Sequence, residues 1–446
     1  MSSISLTAMS LKSAILANHR SMGHVLIRIN TPVVENIETS RSPLHLSLVL
    51  DRSGSMSGIP LREAKKCAQQ AIAHLSEGDK FGLVVYDNRV EELSELLDAS
   101  SENKEKLSKL IETVHSGGST NLHGGWAAGM SQLLSHIQDN VISRVVILSD
   151  GRANFGVTEP NEIVSQCAQA SEDGISTSTY GLGNGFNEEL MIHMAERSGG
   201  NSYYGETAED LIEPFEQEFE LLQALTHKNV LLKIKASKDV EVTLMNQLYK
   251  IRGNSEKEEV ASYKMKSMTH GTEAWALFRF EIKSASSASE EQIKIFEFKV
   301  SYDNQDGKKE ESETVQFILP TLSPKAYGDL AEDRLVRKKM LELEAARIQA
   351  EARTAALNLD WKRVERLLEQ ARQNAQGNEW LMRIVGGLEE LASRKDNIRF
   401  SKEARYSSLR LRNRREPTEE MTSSLLSKGE SLPSYYRKKT RQGKRH

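Results

Sequence analysis

At 446 residues the chain is longer than one ordinary hydrophobic core supports, so two or three domains are expected. Apolar content is ordinary at 38% and the formal charge is only −4, but the charge is unevenly spread. From Arg399 onward 14 Lys/Arg face 5 Asp/Glu, a charge of +9, which leaves −13 for the body. No uninterrupted apolar run reaches the roughly 20 residues that cross a bilayer, and the first thirty residues lack the apolar block of a signal peptide, so a reducing, cytoplasmic setting is expected. Cys67 and Cys167 fall in separate predicted helices among apolar neighbours and read as buried thiols.

In chain order, residues 22–42 hold one isolated strand, "GHVLIRINTP". Residues 43–224 then alternate strand and helix. "LHLSLVLD" precedes "PLREAKKCAQQAIAHL", with Pro60 in the first helical turn, and "KFGLVVYD" precedes a helix near Glu102–Val114. "RVVILSD" precedes "PNEIVSQCAQAS", and "ISTSTYGLG" precedes "NEELMIHMAERSG". Strands apolar on both faces, each followed by a helix, predict an α/β, Rossmann-like unit: a mostly parallel central sheet with helices on both faces.

Over 225–322 the period changes to short alternating strands such as "NVLLKIKAS" and "IKIFEFKVSY", which predict an antiparallel β-sandwich. The strand in 22–42 has the same character, so the α/β domain is expected to be inserted in the sandwich. Residues 325–397 are rich in helix formers. Val364, Leu367, Leu368 and Ala371 form one apolar stripe; Trp380, Leu381, Ile384, Val385 and Leu388 form another, predicting a helical hairpin or small bundle. Residues 398–446 read as a basic, disordered tail in which Ser407, Ser408, Thr418, Ser423, Ser424 and Ser434 are candidate phosphorylation sites. Its end, "YYRKKTRQGKRH", could touch nucleic acid or anionic lipid, but a solvated face is the expectation and no specific nucleic-acid partner is expected.

The chemistry concentrates where apolar strands end. Ligands of parallel α/β sheets bind at the carboxyl ends of strands, near the point where strand order reverses. Asp51 ends one strand, followed by Ser53 and Ser55; Asp150 ends another, followed by Gly151; "HSGGSTNL" between them supplies Ser119 and Thr120. These are hard oxygen donors, suited to Mg2+, Mn2+ or Ca2+ and unsuited to zinc or copper. Inner-sphere hydroxyls leave such a cation electron-poor and drawn to an outside carboxylate. The competing reading is an aspartate and serines that cap the next helix.

Asp51-x-Ser53-x-Ser55, then Thr120, then Asp150-Gly151, in that order, resembles the metal-ion-dependent adhesion site of von Willebrand factor A domains. The likeness spans about Leu44 to Leu222 and includes "YGLGNGFNEELMIHMAERSGGNSYY". It implies a divalent cation, Mg2+ first, held by Asp51, Ser53, Ser55, Thr120 and Asp150, and adhesion to an acidic residue of a protein partner without catalysis. An A domain carried on a sandwich also resembles inter-alpha-trypsin inhibitor heavy chains, chloride-channel-regulator-like proteins and soluble bacterial A-domain proteins, some of which accompany kinases and phosphatases.

Two other functions are weighed. An aspartate-nucleophile phosphatase would use Asp51, but Ser53 stands where its second acid belongs. An accessory role beside an ATPase is compatible with the chain, which has no P-loop of its own. His115 and His123 read as structural or solvent-facing, "GLGNG" at Gly181–Gly185 as a turn, "DNQDGKKEE" as a hairpin connection, Asn121 as a cap, and Ser57 and Ser119 as loop residues. Arg52 could face a partner or be solvated.

Overall fold

The computed structural model describes residues 4–33, 42–182, 187–205, 207–246, 248–251, 260–283, 291–436 and 438–439. Three strands open the chain: β1 (Ser5–Ser10), β2 (Ile15–Leu16) and β3 (Ser21–Asn30). Then come β4 (Leu44–Asp51), α1 (Ile59–His74), β5 (Lys80–Tyr86), β6 (Val90–Asp98), α2 (Ser101–Glu112), α3 (Leu122–Leu134) and β7 (Ile142–Ser149). The α/β part closes with α4 (Pro160–Glu172), β8 (Ile175–Leu182), α5 (Glu188–Ser198), β9 (Ser202–Gly205) and α6 (Ala208–Gln223). The chain divides into two compact units; residues 38–225, 305–307 and 433–446 form one, and the remainder up to residue 432 forms the other.

In the α/β unit the strand order is β6-β5-β4-β7-β8-β9, parallel throughout except for β6. Every residue of β4 and β7 is buried, because helices cover both faces of these central strands. On one face Leu46, Leu48, Leu50, Phe81 and Val146 pack with residues of α1, α2 and α6, among them Ala68, Ile111 and Phe215. On the other face α3 comes very close: a Cβ at Gly129 would stand 2.4 Å from Val49 Cγ2, and one at Gly125 2.3 Å from the Tyr86 ring. Glycine at those positions lets the helix backbone lie against the strands. The order reverses at β4, since the chain moves out to β5 and β6 and returns to β7 on the other side. Edge strand β6 was not anticipated; its "VEELSELLD" is largely exposed, and only the half-buried Leu93 and Leu97 pack against the core, too few to announce it.

The second unit contains β10 (Leu225–Ala236), β11 (Val240–Leu244), β12 (Tyr249–Ile251), β13 (Val260–Lys264), β14 (Met268–Thr269), β15 (Thr272–Ile282), β16 (Gln292–Asp303), β17 (Lys309–Glu311) and β18 (Val315–Leu322). One sheet runs β1-β3-β15-β11 and the other β12-β13-β10-β16-β18-β2. Alternation along β3 decides its faces: Val25, Ile27 and Ile29 enter the core between the sheets with Val230, Phe278 and Phe298, whereas Leu26 points outward to a second cluster with Trp275, Leu277, Val336 and Leu343. Because β3 pairs with β15 over ten residues, the α/β domain is inserted between two strands of the sandwich. "DNQDGKKEE" is the hairpin between β16 and β17, with Asn304 Oδ1 accepting from Lys308 N at 3.0 Å.

Helices follow: α7 (Pro324–Gly328), α8 (Arg334–Leu357), α9 (Trp361–Asn374), α10 (Glu379–Ser393) and α11 (Asn397–Asn413). Both predicted apolar stripes face a shared core of α8 to α11. The region expected to be a disordered tail is ordered over most of its length. Asp396 caps α11, which buries Phe400, Ala404, Tyr406, Ser407, Ser408 and Leu411, and Ser408 Oγ donates to the Ala346 carbonyl at 3.0 Å. Its density of charge masks the sparse apolar positions that fold it. Beyond it, β19 (Glu416–Pro417) pairs with β15, and Thr418 caps α12 (Glu419–Ser427). Lys339, 1% exposed, holds this return in place: its Nζ reaches Glu342 at 3.2 Å and Glu416 at 3.1 Å and lies 4.5 Å from the Trp275 ring. Ser407, Ser408 and Thr418 are therefore buried rather than displayed for modification. Within the α/β unit, Ser434 N donates to Glu220 Oε2 at 3.1 Å, Gln217 Nε2 donates to the Ser434 carbonyl at 3.1 Å, and Tyr436 is buried.

Candidate functional site

Two loops leave β4 and β7 at the reversal of strand order, and another, between α2 and α3, packs against them. Asp51, at the end of β4, is fully buried. Its Oδ1 accepts from Ser53 N at 2.8 Å, and its Oδ2 accepts from Ser149 Oγ at 2.5 Å and Tyr86 OH at 3.2 Å. All three donors are neutral, and among the described residues no basic side chain pairs with it. Burial pushes the Asp51 carboxyl from its ordinary 3.8 up to about 6, with the Ser149 and Ser53 hydrogen bonds opposing the rise and the Asp150 charge adding to it. Burial, then the Asp51 charge, raises the Tyr86 phenol well above its usual range.

After Asp51 the chain makes a short 3-10 turn at Gly54–Met56. Ser53 and Ser55 place their hydroxyl oxygens 3.1 Å apart; Ser53 is buried and Ser55 open to solvent. Neither behaves as the helix cap that the simpler reading requires. The Ser53 side chain makes no capping bond, and α1 is instead preceded by Gly58 with no side-chain cap.

The second loop, residues 115–121, is laced to the first by Gly54 N donating to the Gly118 carbonyl at 2.8 Å and Gly117 N to the Arg52 carbonyl at 2.6 Å. A Cβ at Gly117 would fall 1.9 Å from Asp87 Oδ2, so only glycine allows this approach. The third loop follows Asp150, and Gly151 turns it with φ +68°. Asn154 N and Phe155 N both donate to the Thr120 carbonyl at 3.1 Å, and Thr120 N donates to Asn154 Oδ1 at 2.7 Å. Thr120 and Asp150 are buried at 1% and 7% exposure. Asp51, Ser53, Ser55, Thr120 and Asp150 thus sit on three cross-linked loops at one sheet edge.

The donor set is chemically coherent for a hard cation: two carboxylates and three hydroxyls, with Asp51 buried and its charge uncompensated. Among the described residues, this site included, no group of three or more His, Cys, Asp or Glu could hold a metal ion, so two carboxylates here rely on hydroxyls to complete a donor set. His115 is exposed. His123 lies on α3 with Nε2 2.7 Å from Gln166 Oε1. Asn121 caps α3 by accepting from Gly124 N, and Ser57 and Ser119 are exposed in loops. Arg52 turns back to Glu91 at 3.0 Å and Asp87 at 3.4 Å. Gly181 and Leu182 end β8, while the rest of "GLGNG" lies outside the described residues. Sequence reasoning missed Tyr86, Ser149 and Asn154. Tyr86 is in register with Asp51 on the next strand, and Ser149 lies one residue beyond the Leu148 that pairs with Leu50, placements that emerge only with the sheet.

The von Willebrand factor type A family model matches residues 45–217, the segment that carries all three loops. The chain contains a von Willebrand factor type A domain. Similar curated proteins include an uncharacterized protein, sll0103, of Synechocystis, 28% identical over 47% of this chain and 49% of its own length. YfbK of Escherichia coli, also uncharacterized, is 27% identical over 43% of this chain and 33% of itself. Human inter-alpha-trypsin inhibitor heavy chain H3 is 27% identical over 35% of this chain and 18% of itself. The chain therefore spans half the length or less of these relatives.

Solved structures extend the likeness in fold beyond the A domain. A von Willebrand factor type A protein from Catenulispora acidiphila superposes with a TM-score of 0.68 at 15% identity, covering 85% of this chain and 88% of that one. The ArnB paralog VWA2 of Sulfolobus acidocaldarius gives 0.58 at 14% identity over 91% and 99%. At such identities the shared property is the fold. A domains commonly mediate protein–protein interaction and typically bind a divalent cation. No described helix of this chain is long and apolar enough to cross a membrane.

Proposed function

We propose that this chain is a protein-interaction module whose A domain binds an acidic residue of a partner protein with a divalent cation, Mg2+ first, held by Asp51, Ser53, Ser55, Thr120 and Asp150. The observation that most supports this is the buried Asp51 carboxylate, held by neutral donors alone, on a loop cross-linked to the one that carries Thr120. When bound there, the cation supplies a Lewis-acidic centre able to accept one outside carboxylate. The protein's residues prepare that centre. Ser149 and Tyr86 orient Asp51, the Asp51 carboxylate holds the Ser53 backbone, and the bonds between Thr120 and Asn154 fix the second loop against the third.

Catalysis has no part in this reading, because Ser53 replaces the second acid that a phosphatase of the aspartate-nucleophile kind requires. A place in kinase- or phosphatase-linked signalling, or in an assembly that includes an ATPase, is compatible with such a module. The two free, buried thiols fit a cytoplasmic setting; burial pushes Cys67 up to about 12, out of reach of ordinary thiol chemistry. The test is a pull-down from source-cell lysate with and without chelator, using wild type, Asp51→Ala and Ser53→Ala/Ser55→Ala. Capture should require both the cation and the intact hydroxyls. A partner held equally well in excess chelator refutes the reading.

A further inference from the structure

Around the buried oxygens the loops expose two large apolar side chains. Phe155 is 48% exposed on the third loop and Ile59 is 58% exposed at the start of α1, four positions after Ser55. Of the other exposed large apolar residues described in this unit, Leu134 and Ile137 stand at the far end of α3, and Val90 pairs with Tyr86 on the edge strand, two strands out from Asp51. Phe155 is fixed through its backbone while about half of the residue stays exposed. Its N–H bonds the Thr120 carbonyl at 3.1 Å, and the Asn154 side chain receives Thr120 N. Gly156 follows at φ +69°, where a Cβ would lie 2.5 Å from Asn121 Oδ1. Ile59 follows Gly58 at φ +80°. Backbone fixed this tightly beside an unburied ring displays an apolar group to whatever approaches the site, which is how interface anchors are built.

The floor and the rim ask for different chemistry. The floor selects a carboxylate. At the rim, Arg52, the cation set between two candidate ligands, is already paired with Glu91 and Asp87 and adds little further attraction for acid. We propose that the partner segment is an Asp or Glu with a large apolar side chain within two residues of it, the acid going to the floor and the apolar group to Phe155 and Ile59. This inference rests on the cation-dependent reading above and makes Phe155 and Ile59 residues that determine specificity.

The test uses the full chain and fluorescent heptapeptides in which one aspartate is flanked either by glycines alone or by a single phenylalanine one or two places away. Binding is followed by polarisation in Mg2+ and in chelator, and Mn2+ affinity is measured separately by titration calorimetry. A phenylalanine-flanked peptide should bind at least tenfold tighter than the all-glycine peptide, and only with the cation. Phe155→Ser should remove that tenfold advantage and Ile59→Ser should reduce it, both with Mn2+ affinity unchanged. Equal binding of the two kinds of peptide, or a preference that survives Phe155→Ser and Ile59→Ser, overturns the inference and leaves the cation reading standing. Cation binding with no cation-dependent capture of any peptide also overturns it. Absence of Mn2+ binding by wild type removes the reading beneath it.

Discussion

Asp51 carries opposite liabilities in the two states of the A domain, so replacing it with its neutral isostere should move stability in opposite directions. Without a cation, the buried carboxylate meets only neutral donors, and its rise from 3.8 to about 6 corresponds to ~3 kcal/mol against the charged form at neutral pH. Asp51→Asn removes that charge. Its carbonyl oxygen can still accept from Ser53 N, while its amide faces the Ser149 and Tyr86 hydroxyls, which can accept as well as donate. Part of the ~3 kcal/mol should be recovered, so in chelator the variant should melt a few degrees higher, at roughly 2–4 °C per kcal/mol for a domain of this size.

The sign with pH is fixed. The folded value is raised, so below the unfolded value both states are protonated and wild type matches the variant. The wild-type deficit then grows as pH rises through about 6. Adding Mg2+ at about 100 times its Kd should stabilise wild type by ~2.7 kcal/mol and Asp51→Asn by far less. Scanning calorimetry with chelator and with Mg2+, at pH 4 and pH 7, reads all four values. A variant that melts lower than wild type in chelator at pH 7, or that keeps the full Mg2+ shift, refutes the argument.

Other outcomes follow from single contacts. Glu218 is buried and accepts from Arg144 and Ser178 at 2.7 and 2.6 Å and from Tyr203 at 2.8 Å; Glu218→Ala should lose about 3–5 kcal/mol in urea unfolding, and Arg144→Met/Glu218→Leu markedly less. Burial, with His270 adding to it, lowers His227 from 6.5 to about 4, so wild type should lose about 3 kcal/mol as pH falls through that window, a loss that His227→Gln removes. Gly151→Ala forces a side chain into φ +68° with its Cβ 2.9 Å from Met191 Cγ and should cost about 1–3 kcal/mol, measured by thermal melting. Ser434→Asp sets a carboxylate against Glu220 and should speed amide exchange at Tyr435 and Tyr436 without shifting the melting temperature of the sandwich unit.

Where burial is two-sided the chain announces itself. β4 and β7 read as apolar runs because helices cover both faces, and the oxygens of the site stand out where those runs stop. Elements with sparse burial are silent: β6 lays only the half-buried Leu93 and Leu97 on the core, and α11 hides Phe400, Ala404 and Leu411 among arginines and lysines. The site was legible as a list of ligands but not as a structure. Tyr86 and Ser149 become partners of Asp51 only through strand register, and Asn154 only through the path of a loop.

The insertion sets an order of events during synthesis. Arg28 on β3 forms its ion pair with Glu273 on β15, 245 positions later, so β3 leaves the ribosome long before this neighbour exists. All six strands of the A-domain sheet and the helices that cover them lie between β3 and β15 in contiguous sequence, which lets the domain condense before the late segment around Ser434 joins it. A condensed insert shortens the flexible loop that β3 and β15 must close, lowering the entropic barrier to their pairing. Mutations that slow A-domain folding should therefore leave the β15-facing edge of β3 open in the nascent chain, with only β1 beside it, and the damage would surface as aggregation of the sandwich rather than as a defect in the domain that was changed.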